Sequence, residues 1–334
     1  MQGTIAARGS GPKGVGNKHM IEIQNVSKRY GDKWAVKDVS FTINKGEVLG
    51  FLGRNGAGKS TTMNIVTGYI SATGGRVLLD GHDILEEPRE VKRHIGYLPE
   101  IPPLYVDMTV EEYLRFVCEI KDVSTKHITN HVNDVCELIG IADHRKRMIK
   151  HLSKGYKQRV GMAQALIGNP EIVIMDEPTV GLDPKQIIEI RKLIKELGED
   201  HTVVLSSHIL TEVADVCERL VIINKGQVVA QDTLENLTHG INDTFRFRLR
   251  VAGPERDAQK AIREIPGLVS IDAMGQKEPG TCDFLVESER SVDIRRPLNT
   301  VMNKMGYPIL MLRPMDLELE DIFLQLTSDT EEVL

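Results

Sequence analysis

Cysteine is scarce in this sequence of 334 residues, and its few cysteines are widely separated. They are Cys118, Cys136, Cys217 and Cys282. No two form a C-x-x-C pair, so this number and spacing predict neither a disulfide framework nor a zinc site. The cysteine content favours a reducing, cytosolic environment.

The sequence also lacks long apolar runs and an excess of basic charge. No stretch reaches the roughly 18 consecutive apolar residues of a membrane-spanning helix, so the chain is predicted not to cross a bilayer alone. A formal net charge of -6 argues against a nucleic-acid partner. Residues 1–19 are glycine-rich without an apolar core, and we interpret them as a flexible, tag-like segment. A weak phosphate-loop pattern there, Gly11 to Lys18, has Asn17 where a lysine is required.

Residues 20–240 are predicted to form one large α/β domain. Its predicted strands are Ile21 to Val26, Val36 to Ile43, Val48 to Leu52, Ile172 to Met175 and Thr202 to Leu205. Between the third and fourth of these strands the apolar period becomes helical, which indicates an inserted helical subdomain at about residues 101–160. Strands that alternate with helices predict a largely parallel sheet.

Residues 241–334 are predicted to form a smaller domain. Its first strand, Thr244 to Val251, alternates apolar residues with three arginines, as a half-buried strand does. The predicted order is β-α-β-β-α-β, which is the ferredoxin-like split motif. An amphipathic terminal helix, Leu317 to Leu326, follows with Ile322, Phe323 and Leu326 on one face. We favour packing of this face within the chain over a partner interface.

A phosphate-binding loop directly follows the apolar strand that ends at Leu52. Its residues satisfy G-x-x-x-x-G-K-[ST] and are Gly53, Arg54, Asn55, Gly56, Ala57, Gly58, Lys59 and Ser60. We expect a helix to begin at Ser60, so that loop N–H groups and the helix N-terminus surround phosphates. Lys59 then reaches the outer phosphates, the Ser60 hydroxyl binds Mg²⁺, and Thr61 adds a further hydroxyl.

A pair of acidic residues, Asp176 and Glu177, ends the apolar strand that begins at Ile172. In an open α/β sheet the ligand crevice lies at the carboxyl ends of the strands. Asp176 is suited to holding Mg²⁺ through water, and Glu177 is suited to polarising an attacking water. Solvated acids at a strand end are the alternative interpretation when the pair is taken alone.

A more specific motif lies shortly before the acidic pair, at Leu152-Ser153-Lys154-Gly155-Tyr156-Lys157-Gln158-Arg159. It resembles the signature motif of ABC transporter ATPases, usually written LSGGQ. Lys154 and Tyr156 depart from that form, and an LSKGY-like variant is typical of family exporters of the ABC-2 kind. The resemblance implies that Ser153 and the Gly155 backbone present donors to a γ-phosphate. An ordinary helix N-cap is the alternative for Ser153.

Three further residues occur in the order of this family's motifs. Tyr30 resembles the aromatic residue that stacks on adenine, Asp183 ends a segment resembling the D-loop, and His208 resembles the histidine that senses the γ-phosphate. Each also has a structural interpretation, as a strand-end aromatic, a helix N-cap and a loop histidine. The family pattern differs at Glu100, where a glutamine is usual; a carboxylate can bind Mg²⁺ but cannot donate as an amide does.

Together these motifs imply a P-loop NTPase of the ABC type, with a mixed sheet core, a helical subdomain and the ferredoxin-like accessory domain. The resemblance implies an ATPase with ATP and Mg²⁺ as cofactors, in which two copies bind ATP between the phosphate loop of one and the signature motif of the other. It implies a separately encoded permease, export, and a position at the cytoplasmic face of the membrane. A non-transport ABC ATPase or a nucleotide-binding regulatory module are the alternatives.

Overall fold

The computed structural model describes residues 19–240, 244–289 and 292–314, together with residues 323 and 327. The tag-like segment predicted for residues 1–19 lies outside them, apart from His19, which begins the first strand. Most of the predicted terminal helix also lies outside them. In these described parts of the chain, no helix is both long and apolar enough to span a membrane.

The strands between residues 19 and 240 form two sheets. In chain order they are β1 (His19–Tyr30), β2 (Lys33–Asn44), β3 (Val48–Leu52), β4 (Gly74–Leu79), β5 (His82–Asp83), β6 (Ile95–Leu98), β7 (Ile172–Asp176), β8 (Thr202–Ser207), β9 (Arg219–Asn224) and β10 (Gln227–Thr233). A six-stranded sheet has the order β10-β9-β3-β8-β7-β6, and only its edge strand β10 is antiparallel. The other sheet, β2-β1-β4-β5, is antiparallel. The predicted largely parallel sheet is therefore confirmed, within a mixed α/β core.

Helices cover the six-stranded sheet and supply the helical subdomain. They are α1 (Lys59–Val66), α2 (Pro88–Arg93), α3 (Val110–Ile120), α4 (Ile128–Leu138), α5 (Lys154–Leu166), α6 (Pro184–Asp200), α7 (Leu210–Ala214) and α8 (Leu234–Gly240). As the sequence predicts, a capping box at Thr109 and Glu112 opens α3. Helix α4 is followed by Gly140 at φ 71°, a backbone conformation that favours glycine. Helix α1 begins at Lys59, one residue earlier than predicted.

The central strands β3, β7 and β8 are buried along their whole length because both faces of the sheet are covered. Alternate residues point to different cores: Val173 and Met175 join the core formed with α3 to α6, whereas Ile172 and Ile174 join the core shared with β1, β2 and α1. This two-sided packing holds the carboxyl ends of the parallel strands rigidly at one edge.

The C-terminal residues form a separate antiparallel sheet. Its elements are β11 (Thr244–Ala252), α9 (Glu255–Arg263), β12 (Leu268–Gly275), β13 (Thr281–Glu289), α10 (Arg295–Lys304) and β14 (Ile309–Pro314). The strand order β12-β13-β11-β14 is that of the predicted ferredoxin-like motif. The Asp283 side chain is fully buried and accepts hydrogen bonds from Arg248 and Arg250. Phe323 packs against the core formed with α3 to α6, which agrees with packing within the chain for this residue of the predicted face; Ile322 and Leu326 lie outside the described residues.

Candidate functional site

Four adjacent parallel strands, β3, β8, β7 and β6, end at the same edge of the central sheet. Their ends are aligned by register: Leu52 pairs with Ser207, Asp176 with Ser206, and Leu98 with Met175. The residues predicted to act follow these ends within two residues: the loop from Gly53, then His208, Glu177 and Glu100. The parallel topology thus brings together four segments that are distant in the sequence.

The phosphate loop between β3 and α1 depends on glycine at two places. Gly58 has φ 108°, and a side chain there would lie 2.7 Å from the Ala35 carbonyl oxygen. At Gly53 a Cβ would lie 2.6 Å from the Ile223 carbonyl oxygen. The chain therefore passes too close to its neighbours for any other residue. This geometry turns the loop tightly into the first turn of the helix.

A buried ion pair links the phosphate loop to the acidic strand end. Lys59 Nζ lies 3.1 Å from Glu177 Oε1 and donates to the Gly53 carbonyl oxygen at 2.8 Å. His208 Nδ1 lies 2.8 Å from the other Glu177 oxygen, Oε2. The side chains of Lys59 and Glu177 are each only 6% exposed, so water screens their attraction little. The three predicted catalytic residues therefore meet at one carboxylate.

The backbone of Glu177 is held in an unusual conformation, with φ 49°. A residue other than glycine in this region costs about 1–3 kcal/mol, which the surrounding structure must offset. The Glu177 N–H donates to the carbonyl oxygen and to Oγ of Ser206, at 3.2 and 3.1 Å. Ser206 Oγ also donates to the Asp176 carboxylate. Strand β8 thereby fixes both acids at the end of β7.

The phosphate loop faces a cavity of about 840 Å³, within the range of roughly 300–1,000 Å³ that is usual for small-molecule sites. Its lining residues are Tyr30, Lys33, Trp34, Ala35, Asn55, Gly56, Gly58, Lys59, Ser60, Thr61, Glu100, Glu177, Val180, His208 and Lys225. Tyr30 is 53% exposed, so its ring is available for stacking. One cavity thus unites a predicted base-stacking residue, a phosphate-binding loop and the Glu177 and His208 pair.

The predicted magnesium ligands offer only oxygen atoms, the type that this hard cation prefers. Ser60 and Glu100 line the cavity, whereas Asp176 is 2% exposed at the strand end behind it. Burial and the charge of Asp176 raise the pKa of Tyr97, which donates to Asn64 Oδ1 at 2.9 Å. Among the described residues, no three His, Cys, Asp or Glu side chains are grouped to hold a metal. The coordination of a bound Mg²⁺ is usually completed by phosphate and water oxygens.

The signature residues lie outside this cavity. Ser153 is the N-cap of α5 and accepts from the Tyr156 N–H at 3.3 Å, while Asp183 caps α6 and accepts from the Gln186 N–H at 3.0 Å. Gly155 is buried against Gln186, so the two helix starts are adjacent. Both structural interpretations of these caps are therefore correct. Their contact with a nucleotide remains a prediction that needs a second copy of the chain.

Sequence reasoning missed several residues that line the cavity, above all Trp34 and Lys225. Trp34 is 44% exposed, and the Arg29 guanidinium lies over its ring at 5.7 Å from the centroid. An exposed tryptophan that is the only one in the chain is a signal that could have directed attention to position 34. Lys225 follows β9, far along the chain, and no local pattern marks it.

Comparison with known proteins agrees with this geometry. The family model described as ABC transporter matches residues 36–180. The ABC transporter ATP-binding protein YhcH of Bacillus subtilis (strain 168) is 34% identical over 322 residues, covering 94% of this chain and 98% of that protein. The bacitracin transport ATP-binding protein BcrA of Bacillus licheniformis is 30% identical over 309 residues, covering 92% and 97%.

A solved structure supports the same assignment. It is a dimeric ATP-binding cassette in a post-hydrolysis state, bound to ADP and Pi. It aligns with a TM-score of 0.60 and 28% sequence identity, over 64% of this chain and 99% of that one. Sequence, fold and cavity agree, and the chain therefore belongs to the ABC transporter ATP-binding proteins, ATPases whose cofactors are ATP and Mg²⁺.

Proposed function

We propose that this chain is the motor subunit of an exporter, in which two copies hydrolyse ATP beneath a separately encoded transmembrane permease. The observation that carries the proposal is the single cavity that joins Tyr30, the phosphate loop, Glu177 and His208. The protein reaches the cytoplasmic face of the membrane only through the permease. Export is supported by the LSKGY-like signature, and transport by the relative named for bacitracin transport.

Within this proposal each side chain around the cavity has one role. Lys59, on the loop that holds the triphosphate, neutralises the outer phosphates, and Tyr30 stacks on the base. Glu177 orients and polarises the water that attacks the γ-phosphate, and His208 contacts the transferred group. Ser60, Asp176 and Glu100 would hold Mg²⁺, which neutralises charge on the phosphates when bound.

The position of the signature motif supports a dimeric site. Ser153 and Asp183 are exposed at the starts of their helices. Neither residue lines the cavity that contains the phosphate loop of its own chain. A helix N-terminus is suited to an anion because its N–H groups are unpaired and its dipole is favourable. We propose that α5 of one copy completes the site formed by the other copy.

The C-terminal sheet contains none of the proposed catalytic groups. We propose that residues 20–240 are the ATPase domain and that residues 241–334 form an accessory domain that affects pairing of the two copies.

A complementation experiment tests the composite site. Lys59→Ala inactivates the phosphate-loop half of a site, and Ser153→Arg inactivates the signature half. A dimer of either variant alone should therefore not hydrolyse ATP. In a mixed dimer one site carries both changes and the other carries neither. Random pairing at equal concentrations should therefore restore roughly a quarter of the wild-type rate.

The control is a mixture of Lys59→Ala with Glu177→Gln, two changes in the same half-site. It should restore no activity, because each mixed dimer then has two defective sites. Recovery in the control, or none in the first mixture while the wild-type protein hydrolyses ATP, would reject the dimeric arrangement. The permease is sought by co-purification from solubilised membranes of the native host.

A further inference from the structure

A buried carboxylate, Glu212 on α7, lies beside the site but belongs to none of its motifs. It is 4% exposed. Thr179 Oγ1 donates to Glu212 Oε2 at 2.5 Å, and Ser207 Oγ donates to the same oxygen at 3.3 Å. One carboxylate oxygen thus accepts hydrogen bonds from the loop after β7 and from the last residue of β8, where the next loop begins.

These two loops carry the groups proposed to act on ATP. Thr179 comes two residues after Glu177, and Ser207 directly precedes His208. The His208 ring nitrogen Nδ1 lies 2.8 Å from the Glu177 carboxylate, between the two loops that Glu212 connects. Any change in the spacing of the two loops would alter that contact.

The contacts of Glu212 are not those expected of a simple ion pair. Arg191, its nearest cation, lies 4.0 Å away and approaches Asp215 more closely, at 2.7 Å. Arg191 Nε is buried without a hydrogen-bond partner among the described residues. Burying a carboxylate is costly unless it is well paired. The short contacts of this carboxylate go to the Thr179 and Ser207 hydroxyl groups. The buried Glu212 side chain therefore mainly connects the segments that carry Glu177 and His208.

The connection extends through the backbone of the histidine loop. The Ile209 N–H donates to Ser207 Oγ at 3.0 Å. The Ser207 hydroxyl thus accepts a hydrogen bond from the residue that follows His208 and donates one to Glu212. Ser206 already joins the ends of β7 and β8 inside the sheet. Glu212 joins the last residue of β8, Ser207, to Thr179, which lies three residues beyond the end of β7.

We infer that Glu212 is a positioning residue for ATP hydrolysis, which holds the Glu177 and His208 loops at their working separation through Thr179 and Ser207. The inference rests on the proposed roles of Glu177 and His208. A misplacement of about 1 Å at a reacting group can reduce a rate by about 10²-fold. A loosened junction is therefore expected to lower turnover more than nucleotide affinity.

The experiment measures kcat and KM for ATP in the full-length chain. Glu212→Ala is expected to lower kcat about ten- to a hundredfold, with KM changed by less than about threefold. Glu212→Gln keeps an oxygen that can accept from both hydroxyls, so it should restore kcat to within about threefold of wild type. Thr179→Val, which removes one hydroxyl at nearly constant volume, should lower kcat in the same direction as Glu212→Ala.

The matched control is Asp215→Asn, which removes the closer carboxylate partner of the same arginine. It should leave kcat unchanged, because Asp215 is exposed and its carboxylate accepts from Arg191. The inference is overturned if Glu212→Gln is as slow as Glu212→Ala, if Asp215→Asn is equally slow, or if only KM changes. If Glu212→Ala fails to fold, a wild-type kcat in Thr179→Val still overturns it. An inactive wild-type chain would instead reject the proposed function.

Discussion

Replacing Glu177 by glutamine removes the carboxylate at which Lys59 and His208 meet. The amide keeps the size of the side chain but cannot polarise a water as a base does. Loss of general-base assistance costs about 10²–10⁴-fold in rate, which corresponds to about 3–5 kcal/mol at 1.36 kcal/mol per tenfold. We expect kcat to fall by that factor while ATP binding is retained.

The same change alters the stability of the nucleotide-free protein. Lys59 is nearly fully buried and loses its only close carboxylate partner among the described residues, although the Gly53 carbonyl oxygen and the new amide oxygen can still accept from it. We expect a loss of about 1–3 kcal/mol, the cost of an imperfectly paired buried charge. The melting temperature should fall by about 2–4 °C per kcal/mol in a domain of this size.

Added MgATP should reverse this loss, because the triphosphate gives Lys59 a new anionic partner. The nucleotide-induced rise in melting temperature is therefore expected to be larger in Glu177→Gln than in wild type. Steady-state phosphate release and differential scanning fluorimetry, with and without MgATP, measure the two effects. Glu196→Gln is the control, since its surface pair with Lys192 at 3.4 Å contributes little. Unchanged turnover, or a smaller thermal shift than wild type, would refute the reasoning.

Three further predictions concern single side chains. Lys59→Ala should weaken binding of a non-hydrolysable ATP analogue about ten- to a hundredfold by calorimetry, because it deletes charged hydrogen bonds worth about 1.5–3 kcal/mol; unaltered affinity would contradict this. Gly58→Ala should lower the melting temperature more than Gly56→Ala. Both have positive φ, but only the first places its Cβ 2.7 Å from a backbone oxygen, so equal shifts would be inconsistent with the loop geometry. The third concerns pH: hydrogen bonds from Arg250 hold the pKa of Asp283 below its ordinary value of 3.8. The stability this carboxylate contributes is then present above about pH 4 and lost as the pH falls through its folded-state pKa. Urea unfolding of the C-terminal sheet should show this acid loss in wild type and less of it in Asp283→Asn; identical pH curves would exclude the mechanism.

Local patterns of the chain predicted those parts of the site that are contiguous. The phosphate loop from Gly53 to Ser60 must follow a strand and precede a helix, and its glycines mark the tight turn that the structure shows at Gly58. Alternating apolar and basic residues likewise predicted the strand from Thr244, and the order of elements predicted the ferredoxin-like sheet. These features depend on neighbours within a few residues, so they can be predicted from periodicity and motif spacing.

Contacts between distant segments were not predictable in this way. Glu212 occupies an ordinary position in a short helix, and nothing around it in the chain indicates that Thr179 and Ser207 approach it. Trp34 and Lys225 join the cavity only because β2 begins and β9 ends near the phosphate loop. The fold of one chain also places the exposed Ser153 outside the cavity, a separation that the order of motifs alone does not reveal.

By itself, therefore, the sequence determined the chemistry of the site: glycine turns, a lysine, an acidic pair and a histidine in one order. Tertiary structure decided how these groups meet, because the parallel order of β3, β8, β7 and β6 aligns their carboxyl ends at one edge. It also decided which polar residues are buried beside them, as the pairing of Lys59 with Glu177 and the hydroxyl contacts of Glu212 show. Distances across a sheet follow from the packing of the whole chain, and no short segment encodes them.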